Sequence, residues 1–285
     1  MRNYIAGLCT VLIVLVGHAA AATLTLSAAT TTVDDAWVTT DVPDANYGGT
    51  GSIIENPNGY HPGLLGYKDM FTMLPPGGGI VIDSASMTLC SASAQWIKIY
   101  RTTSDWLVKP AGQNQYNVTA AHRDVAGGLA WAAGRFGVND YDTVDYLSGS
   151  TSAGYNSLTN FDVTRLVSKM YSVGQNYGFA INSLSYIRSQ EASAANGTPK
   201  LVISYHYALP GDANADGFVT FQDYIVLELN FGCTGTGFSN GDFNGDGKVD
   251  FKDYIVLESN FGRSVPEPAS LLSLVSGACL LRRRP

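Results

Sequence analysis

The chain has 285 residues, of which 45% are apolar and only 14% charged, with 31 glycines and a formal charge of −7. This is room for one large domain and something small, and the apolar fraction excludes a disordered chain. The charge lacks the basic excess that phosphate binding needs, which excludes nucleic acid as a partner. The chain opens on Met1 and Arg2, an apolar stretch from Ile5 to Val16, and the small residues Ala19 to Ala22. A stretch of about a dozen apolar residues is short of the ~20 a span needs, so 1–22 reads as a signal peptide cut near Ala22. With Cys9 in that leader and Cys279 in an apolar tail, Cys90 and Cys233 remain in the folded parts, and a disulfide framework is excluded.

From 23 to 207 the sequence reads as short β-branched and aromatic runs between glycine, asparagine and serine. Examples are Ile80–Ile82, Ser86–Leu89, Ile97–Tyr100, Tyr177–Ile181 and Leu201–Tyr205. Those are strand signals with turn punctuation. Only Val163–Met170 has helical spacing, with Asp162 or Thr164 available as a cap. The pattern predicts a mainly β domain, an antiparallel β-sandwich.

This segment resembles the DNRLRE family, or disaggregatase-related repeat. The residues that carry the resemblance are Asp44-Ala45-Asn46-Tyr47-Gly48-Gly49, Leu74-Pro75-Pro76-Gly77, Ile82 through Leu89, Thr103-Ser104-Asp105-Trp106, Phe161-Asp162-Val163-Thr164, Asn176-Tyr177-Gly178-Phe179 and Pro199 through Tyr205. The resemblance implies a jelly-roll-like β-sandwich tied to polysaccharide binding. Leu64 through Phe71 departs from it, standing where the family usually has an arginine-phenylalanine-aspartate strand.

Leu209-Pro210-Gly211 ends the strand pattern, and a repeat follows. Gly211-Asp212-Ala213-Asn214-Ala215-Asp216-Gly217 with Asp223 through Gly232 recurs 30 positions on as Gly241-Asp242-Phe243-Asn244-Gly245-Asp246-Gly247 with Asp253 through Gly262. Oxygen side chains fall at loop positions one, three, five, nine and twelve: Asp212, Asn214, Asp216, Thr220 and Asp223, then Asp242, Asn244, Asp246, Asp250 and Asp253. A hard cation takes six to eight oxygens, and position seven, Phe218 or Lys248, would add its carbonyl. Glycine at position six, Gly217 or Gly247, permits the bend. The spacing therefore predicts two calcium ions, with the second loop the tighter because Asp250 replaces Thr220. After position twelve, Tyr224, Ile225, Leu227, Glu228 and Phe231 have helical spacing, with Gly232 as a stop.

Both loops end in aspartate and lack an entering helix, so 210–262 resembles a type I dockerin. That resemblance implies a small α module of two EF-hand-like loop–helix halves that docks to a cohesin-like receptor. It places partner contacts at Phe221, Gln222, Phe251 and Lys252. The two phenylalanines are equally suited to packing between the halves.

The tail, 265–285, carries Pro266-Glu267-Pro268, an apolar run of roughly 13 residues and Arg282-Arg283-Arg284. It resembles a PEP-CTERM sorting signal, which implies processing by an exosortase, a transient membrane segment and an exported protein, extracellular or at the cell surface.

Catalytic signals are sparse. His61, His122 and His206 stand singly, and no Gly-x-Ser-x-Gly elbow, Walker loop or dinucleotide fingerprint occurs. The pairs Asp34-Asp35 and Asp140 with Asp142 read as charged turn residues. The aromatic candidates for a sugar platform are Trp37, Trp96, Trp106, Trp131 and Tyr60, with Trp106, Trp131 and Tyr60 the expected carbohydrate site, although a buried core position is the commoner fate of a tryptophan in such a sandwich. Between 24 and 207 ten Lys and Arg face fourteen Asp and Glu, so the module has no positive field to draw an acidic polysaccharide. The expectation is a non-catalytic glycan-binding and docking protein. Its rivals are a structural protein without glycan binding and a component that degrades polysaccharide.

Overall fold

The computed structural model describes residues 21–264, apart from 29–32, 40, 55–61, 75–78, 110–112, 153–155, 184–185, 193–196 and 235–236. Most of 1–22, expected to be a signal peptide, together with Tyr60 and the tail that carries Pro266-Glu267-Pro268, lies outside the described residues. No described helix is long and apolar enough to cross a membrane.

In chain order the elements are β1 (Ala22–Ser27), β2 (Val33–Trp37), β3 (Ser52–Ile54), β4 (Gly63–Tyr67), α1 (Met70–Met73), β5 (Ile80–Ser91), β6 (Trp96–Thr102), β7 (His122–Asp124) and β8 (Leu129–Ala130). They continue as β9 (Tyr141–Ser150), β10 (Ser157–Asp162), α2 (Thr164–Ser172), β11 (Phe179–Ser183), β12 (Ile187–Arg188), β13 (Lys200–Tyr207), α3 (Phe221–Leu229) and α4 (Phe251–Asn260). One sheet runs β1-β13-β5-β12-β3, with β10 also on β5, and a second runs β2-β4-β11-β6-β9. Every pairing within them is antiparallel. The two runs Ile80–Ile82 and Ser86–Leu89 are a single strand. It holds together across exposed Asp83-Ser84 because β13 shifts register between Ser204 and Tyr205 to follow it.

The sheets share one core. Leu26, Met87, Leu89, Leu201 and Ile203 of the first sheet pack with Val33, Leu65, Tyr67, Ile99, Phe179 and Ile181 of the second, closed at one end by Leu166, Val167 and Met170 of α2. The helix expected over 163–170 is α2. It carries no side-chain cap on Val163, but the Thr164 N–H donates to Asp162 Oδ1 at 3.0 Å, and the Thr164 hydroxyl accepts from the Ala85 N–H at 2.8 Å.

The second sheet is covered on its outer face as well. Residues 103–140 lay Trp106, Leu107, Val118, Trp131 and Phe136 over Ala36, Leu64, Tyr100 and Ala180, making a second apolar cluster. Burial on both faces explains why Gly63-Leu64-Leu65-Gly66-Tyr67 does not alternate in polarity and is buried throughout. It also corrects the reading of Asp34-Asp35 as turn residues. Both lie in β2 and are 0–1% exposed. In register, Asp35 stands opposite Leu65 on the face toward the shared core and Asp34 opposite Gly66 on the other. Asn114 Nδ2 donates to Asp34 Oδ2 at 2.6 Å, and the Gln190 N–H to Asp35 Oδ2 at 2.8 Å. Asp140 is likewise a buried brace. It accepts from Ser104 Oγ and from the N–H groups of Ala132 and Gly137, while Asp142 pairs with Arg101 at 3.2 Å.

The C-terminal unit has a core of Val219, Leu227, Val249 and Leu257, flanked by Leu209, Tyr224, Phe243 and Tyr254. The repeat in sequence is a repeat in space. Gly211 and Gly241, one residue before each loop, have φ of 98° and 100°. A Cβ on Gly211 would lie 3.1 Å from Leu257 Cα, and one on Gly241 2.9 Å from Leu227 Cα. Each glycine lets its loop rest on the helix of the other half.

Candidate metal centre

Each loop is tied to its helix by a reciprocal cap. The Thr220 hydroxyl accepts from the Gln222 N–H at 3.2 Å, and Asp223 Oδ2 accepts from the Thr220 N–H at 2.8 Å. In the second half Asp250 Oδ1 accepts from Lys252 at 2.8 Å, and Asp253 Oδ2 from Asp250 at 2.9 Å. The helices therefore begin at Phe221 and Phe251, two residues before position twelve. The T-x-x-D and D-x-x-D spacing was the sequence signal for it. Asp250, expected as an extra ligand, spends one oxygen as a helix cap, as Thr220 does.

The loop amides converge on the first and last carboxylates. Asp212 accepts from Asp216 at 3.1 Å and Gly217 at 2.9 Å. Asp242 accepts from Gly245, Asp246 and Gly247 at 2.8, 3.2 and 2.9 Å. Asp223 accepts also from the Asn214 N–H at 3.2 Å, and Asp253 from Phe243 and Asn244 at 2.9 and 3.0 Å. The position-three side chains close turns, Asn214 Oδ1 accepting from Asp216 at 2.9 Å and Asn244 Oδ1 from Asp246 at 2.8 Å. Gly217 and Gly247 take φ of 86° and 80°, as position six requires. Position four is left-handed in both loops, Gly245 at 74° and Ala215 at 58°.

Asp212, Asp223, Asp242 and Asp253 are 0–3% exposed, and among the described residues none of the four is ion-paired. Burial pushes the Asp212 carboxyl above its ordinary range, and the Asp223 charge pushes the same way, against hydrogen bonds from Gly217 and Asp216. Such buried, like-charged carboxylates call for a cation. The donor set of carboxylate, amide, hydroxyl and carbonyl oxygens fits a hard divalent ion and not a soft one. No three His, Cys, Asp or Glu side chains among the described residues form a metal cluster by themselves. The asparagine and main-chain oxygens of the loops are part of the fit.

Each half is also pinned by the other. The Val219 N–H donates to Arg263 O and the Gly262 N–H to Val219 O, both at 2.9 Å; the Gly232 N–H donates to Val249 O at 2.8 Å and Val249 to Cys233 O at 3.1 Å. Position eight of each loop thus bonds to the segment that leaves the opposite helix.

Phe221 and Phe251, open between core and contact in the sequence, are surface residues at 62% and 65% exposure. Each stacks on the tyrosine three residues on, Phe221 on Tyr224 at 5.5 Å and Phe251 on Tyr254 at 5.6 Å. The two tyrosines meet edge-on at 6.3 Å. The result is an aromatic ladder spanning both halves, beside a groove lined by Leu227, Glu228 and Phe231. Gln222 and Lys252 are exposed next to it.

Two of the three residues expected to meet a carbohydrate, Trp106 and Trp131, are interior, and Tyr60 lies outside the described residues. Trp106 is 0% and Trp131 2% exposed, both in the cluster beneath 103–140. Trp106 is seated where Gly66 and Gly178 carry no side chain; a Cβ on either would come within 3.1–3.2 Å of its ring. Trp131 Nε1 donates to Thr119 O at 2.8 Å. A sheet covered on its outer face needs large apolar residues there, and both tryptophans fill that need. Trp96 is the tryptophan left exposed, at 44%. Ser183 Oγ reaches its carbonyl at 3.1 Å, and Tyr186, 40% exposed, follows in the same β11–β12 connection. The Asn46-Tyr47 turn is a brace too. Asn46 Nδ2 donates to Gln115 O and Val118 O, and Tyr47 stacks on Trp37 at 3.7 Å.

The described residues define an antiparallel β protein of two large sheets and a small β7–β8 ribbon, followed by a duplicated loop–helix module. No protein-family model matches the chain, and no curated protein matches it. Among solved structures, 21% of the chain aligns with 93% of one titled Type II cohesin-dockerin domain from Bacteroides cellolosolvens, at 32% identity and a TM-score of 0.19.

Proposed function

We propose that the chain is an exported, non-catalytic binding protein whose C-terminal module, ordered by two calcium ions, docks to a cohesin-like receptor through its aromatic ladder. The observation that carries this reading is the pair of equivalent loops, each closing on two buried, unpaired carboxylates, beneath exposed Phe221-Tyr224 and Phe251-Tyr254. Asp212, Asn214, Asp216, Asp223 and the Phe218 carbonyl would hold one ion, with Thr220 beside it. Asp242, Asn244, Asp246, Asp253 and the Lys248 carbonyl would hold the other, with Asp250 beside it. When bound, the ion neutralises the crowded carboxylates. The loop residues then hold the capped ends of α3 and α4 in place, and these present the ladder. Large aromatic rings half in water are what a protein interface buries.

For the sandwich we propose glycan binding at the end that carries Trp96 and Tyr186, whose exposed rings suit stacking on a neutral sugar. The DNRLRE resemblance favours it. The tail is proposed as a sorting signal cut by an exosortase, leaving the protein extracellular or at the cell surface.

The docking test is surface-immobilised full chain against a panel of cohesin modules, with and without calcium. Binding is expected with calcium and lost in Phe221→Ala/Phe251→Ala, whose calcium uptake is retained. Binding that survives both chelation and the double substitution would sink the reading.

A further inference from the structure

The two loops are equivalent in backbone, yet they treat one oxygen differently. At position five, Asp216 and Asp246 each give Oδ1 to the N–H two residues on, Phe218 at 2.9 Å and Lys248 at 3.1 Å. The other oxygen, Oδ2, has a nitrogen on it in both halves. In the first loop it is the Asn214 amide, at 3.0 Å from Asp216 Oδ2 and 3.3 Å from Gln222 Oε1. In the second it is the Lys252 ammonium, at 3.0 Å from Asp246 Oδ2. Gln222 and Lys252 occupy the same position, eleven, of their loops.

These donors differ in what an arriving cation must do to them. The Asn214 amide is neutral and keeps its Oδ1 on the Asp216 N–H at 2.9 Å, so an arriving cation meets no repulsion from it and displaces only a neutral donor from Asp216 Oδ2. An ammonium has no oxygen to offer and repels a divalent ion. It must swing away, and the carboxylate must give up its charge partner. Charge counting points the same way. The first loop has three carboxylates and no lysine, whereas the second has four together with Lys248 and Lys252.

From this, and resting on the calcium reading above, we propose that Lys252 is a built-in competitor for the cation of the second loop, so that the first loop fills first and the second is the weaker, salt-sensitive site. This reverses the order that carboxylate number alone predicts. Lys252 is 70% exposed, so a rotation of its side chain into solvent is open to it.

The test is calcium titration calorimetry on the full-length chain, stripped of metal, at low ionic strength and again near 1 M salt, where the screening length falls to ~3 Å. Wild type should show two sites. A unit charge at ~4 Å in water is worth ~1 kcal/mol, so Lys252→Gln should tighten the weaker site about fivefold at low salt. Gln222→Lys should weaken the tighter site by a similar factor, and both effects should shrink at high salt. Asp242→Ala should abolish the site that Lys252→Gln tightens. Two wild-type sites with constants that Lys252→Gln leaves unchanged, or a Lys252→Gln effect on the tighter site, would overturn this inference alone. A wild-type chain that takes up no calcium would overturn the loop reading along with it.

Discussion

The sandwich and the C-terminal module are held together by opposite means. In the sandwich two apolar clusters enclose the second sheet from both sides, and its buried acids are braced by amides. The module has four fully buried apolar side chains, too few for a stable core in ~50 residues. Its loops are built from carboxylates that collect amide hydrogens, and its two halves are stitched by reciprocal backbone hydrogen bonds at Val219 and Val249. A region with a large core keeps its shape without a bound ion. One built from converging carboxylates depends on what neutralises them. The difference shows at the surface too: the sandwich buries Trp37, Trp106, Trp131, Phe136, Phe161 and Phe179, while the module exposes Phe218, Phe221, Phe231, Phe251 and Phe261.

The largest effect that would separate the two is chelation. Stripping divalent ions from the full chain should abolish the helical circular dichroism of 210–262. Tryptophan fluorescence should stay put, because all four tryptophans lie between 37 and 131. Helix signal that survives chelation would mean that the small core suffices. Next in size, Trp106→Ala should cost the sandwich about 3–5 kcal/mol, the usual loss for a fully buried aromatic. The module's calcium uptake should not change. A Trp106→Ala chain that keeps its melting temperature and loses only glycan binding would restore Trp106 as a contact.

Asp35 sharpens the comparison through pH. Burial pushes its carboxyl well above the ordinary range, the Glu191 charge adds to that, and the hydrogen bond from Gln190 opposes it. A carboxyl protonated more easily folded than unfolded contributes stability that is full below the ordinary carboxylate value. That contribution is lost as pH rises through the raised folded value. Asp35→Asn should therefore match wild type near pH 4 and melt a few degrees higher at pH 8, by calorimetry of the sandwich transition. A difference that is flat with pH would show that Asp35 is charged and compensated in the fold. The smallest effect belongs to Ala215, left-handed at φ 58° where its counterpart is Gly245 at 74°. Ala215→Gly should relieve that strain and stabilise the calcium-loaded module by about 0.5–1 kcal/mol. In the other loop Gly245→Ala should cost a similar amount, since a Cβ there meets nothing within 4 Å. Opposite signs at equivalent positions are the expected outcome of thermal melts on the two variants.

Local periodicity determined a good deal. The strands at Ile97–Tyr100, Tyr177–Ile181 and Leu201–Tyr205 and the helix near Val163 follow from side-chain spacing. The 30-residue repeat with oxygens at alternate loop positions was sufficient to place both loops, because their hydrogen bonds run between neighbours in sequence. What the chain alone could not decide were the faces. Trp106 and Trp131 are wall and not platform because 103–140 folds back over a distant sheet. Asp34 is interior for the same reason and Asp35 because the second sheet packs on the first, while Phe221 and Phe251 stand outside the small core that the two halves share. Burial and pairing between residues far apart in sequence are properties of the assembled molecule, and only tertiary structure supplies the partner that each side chain meets.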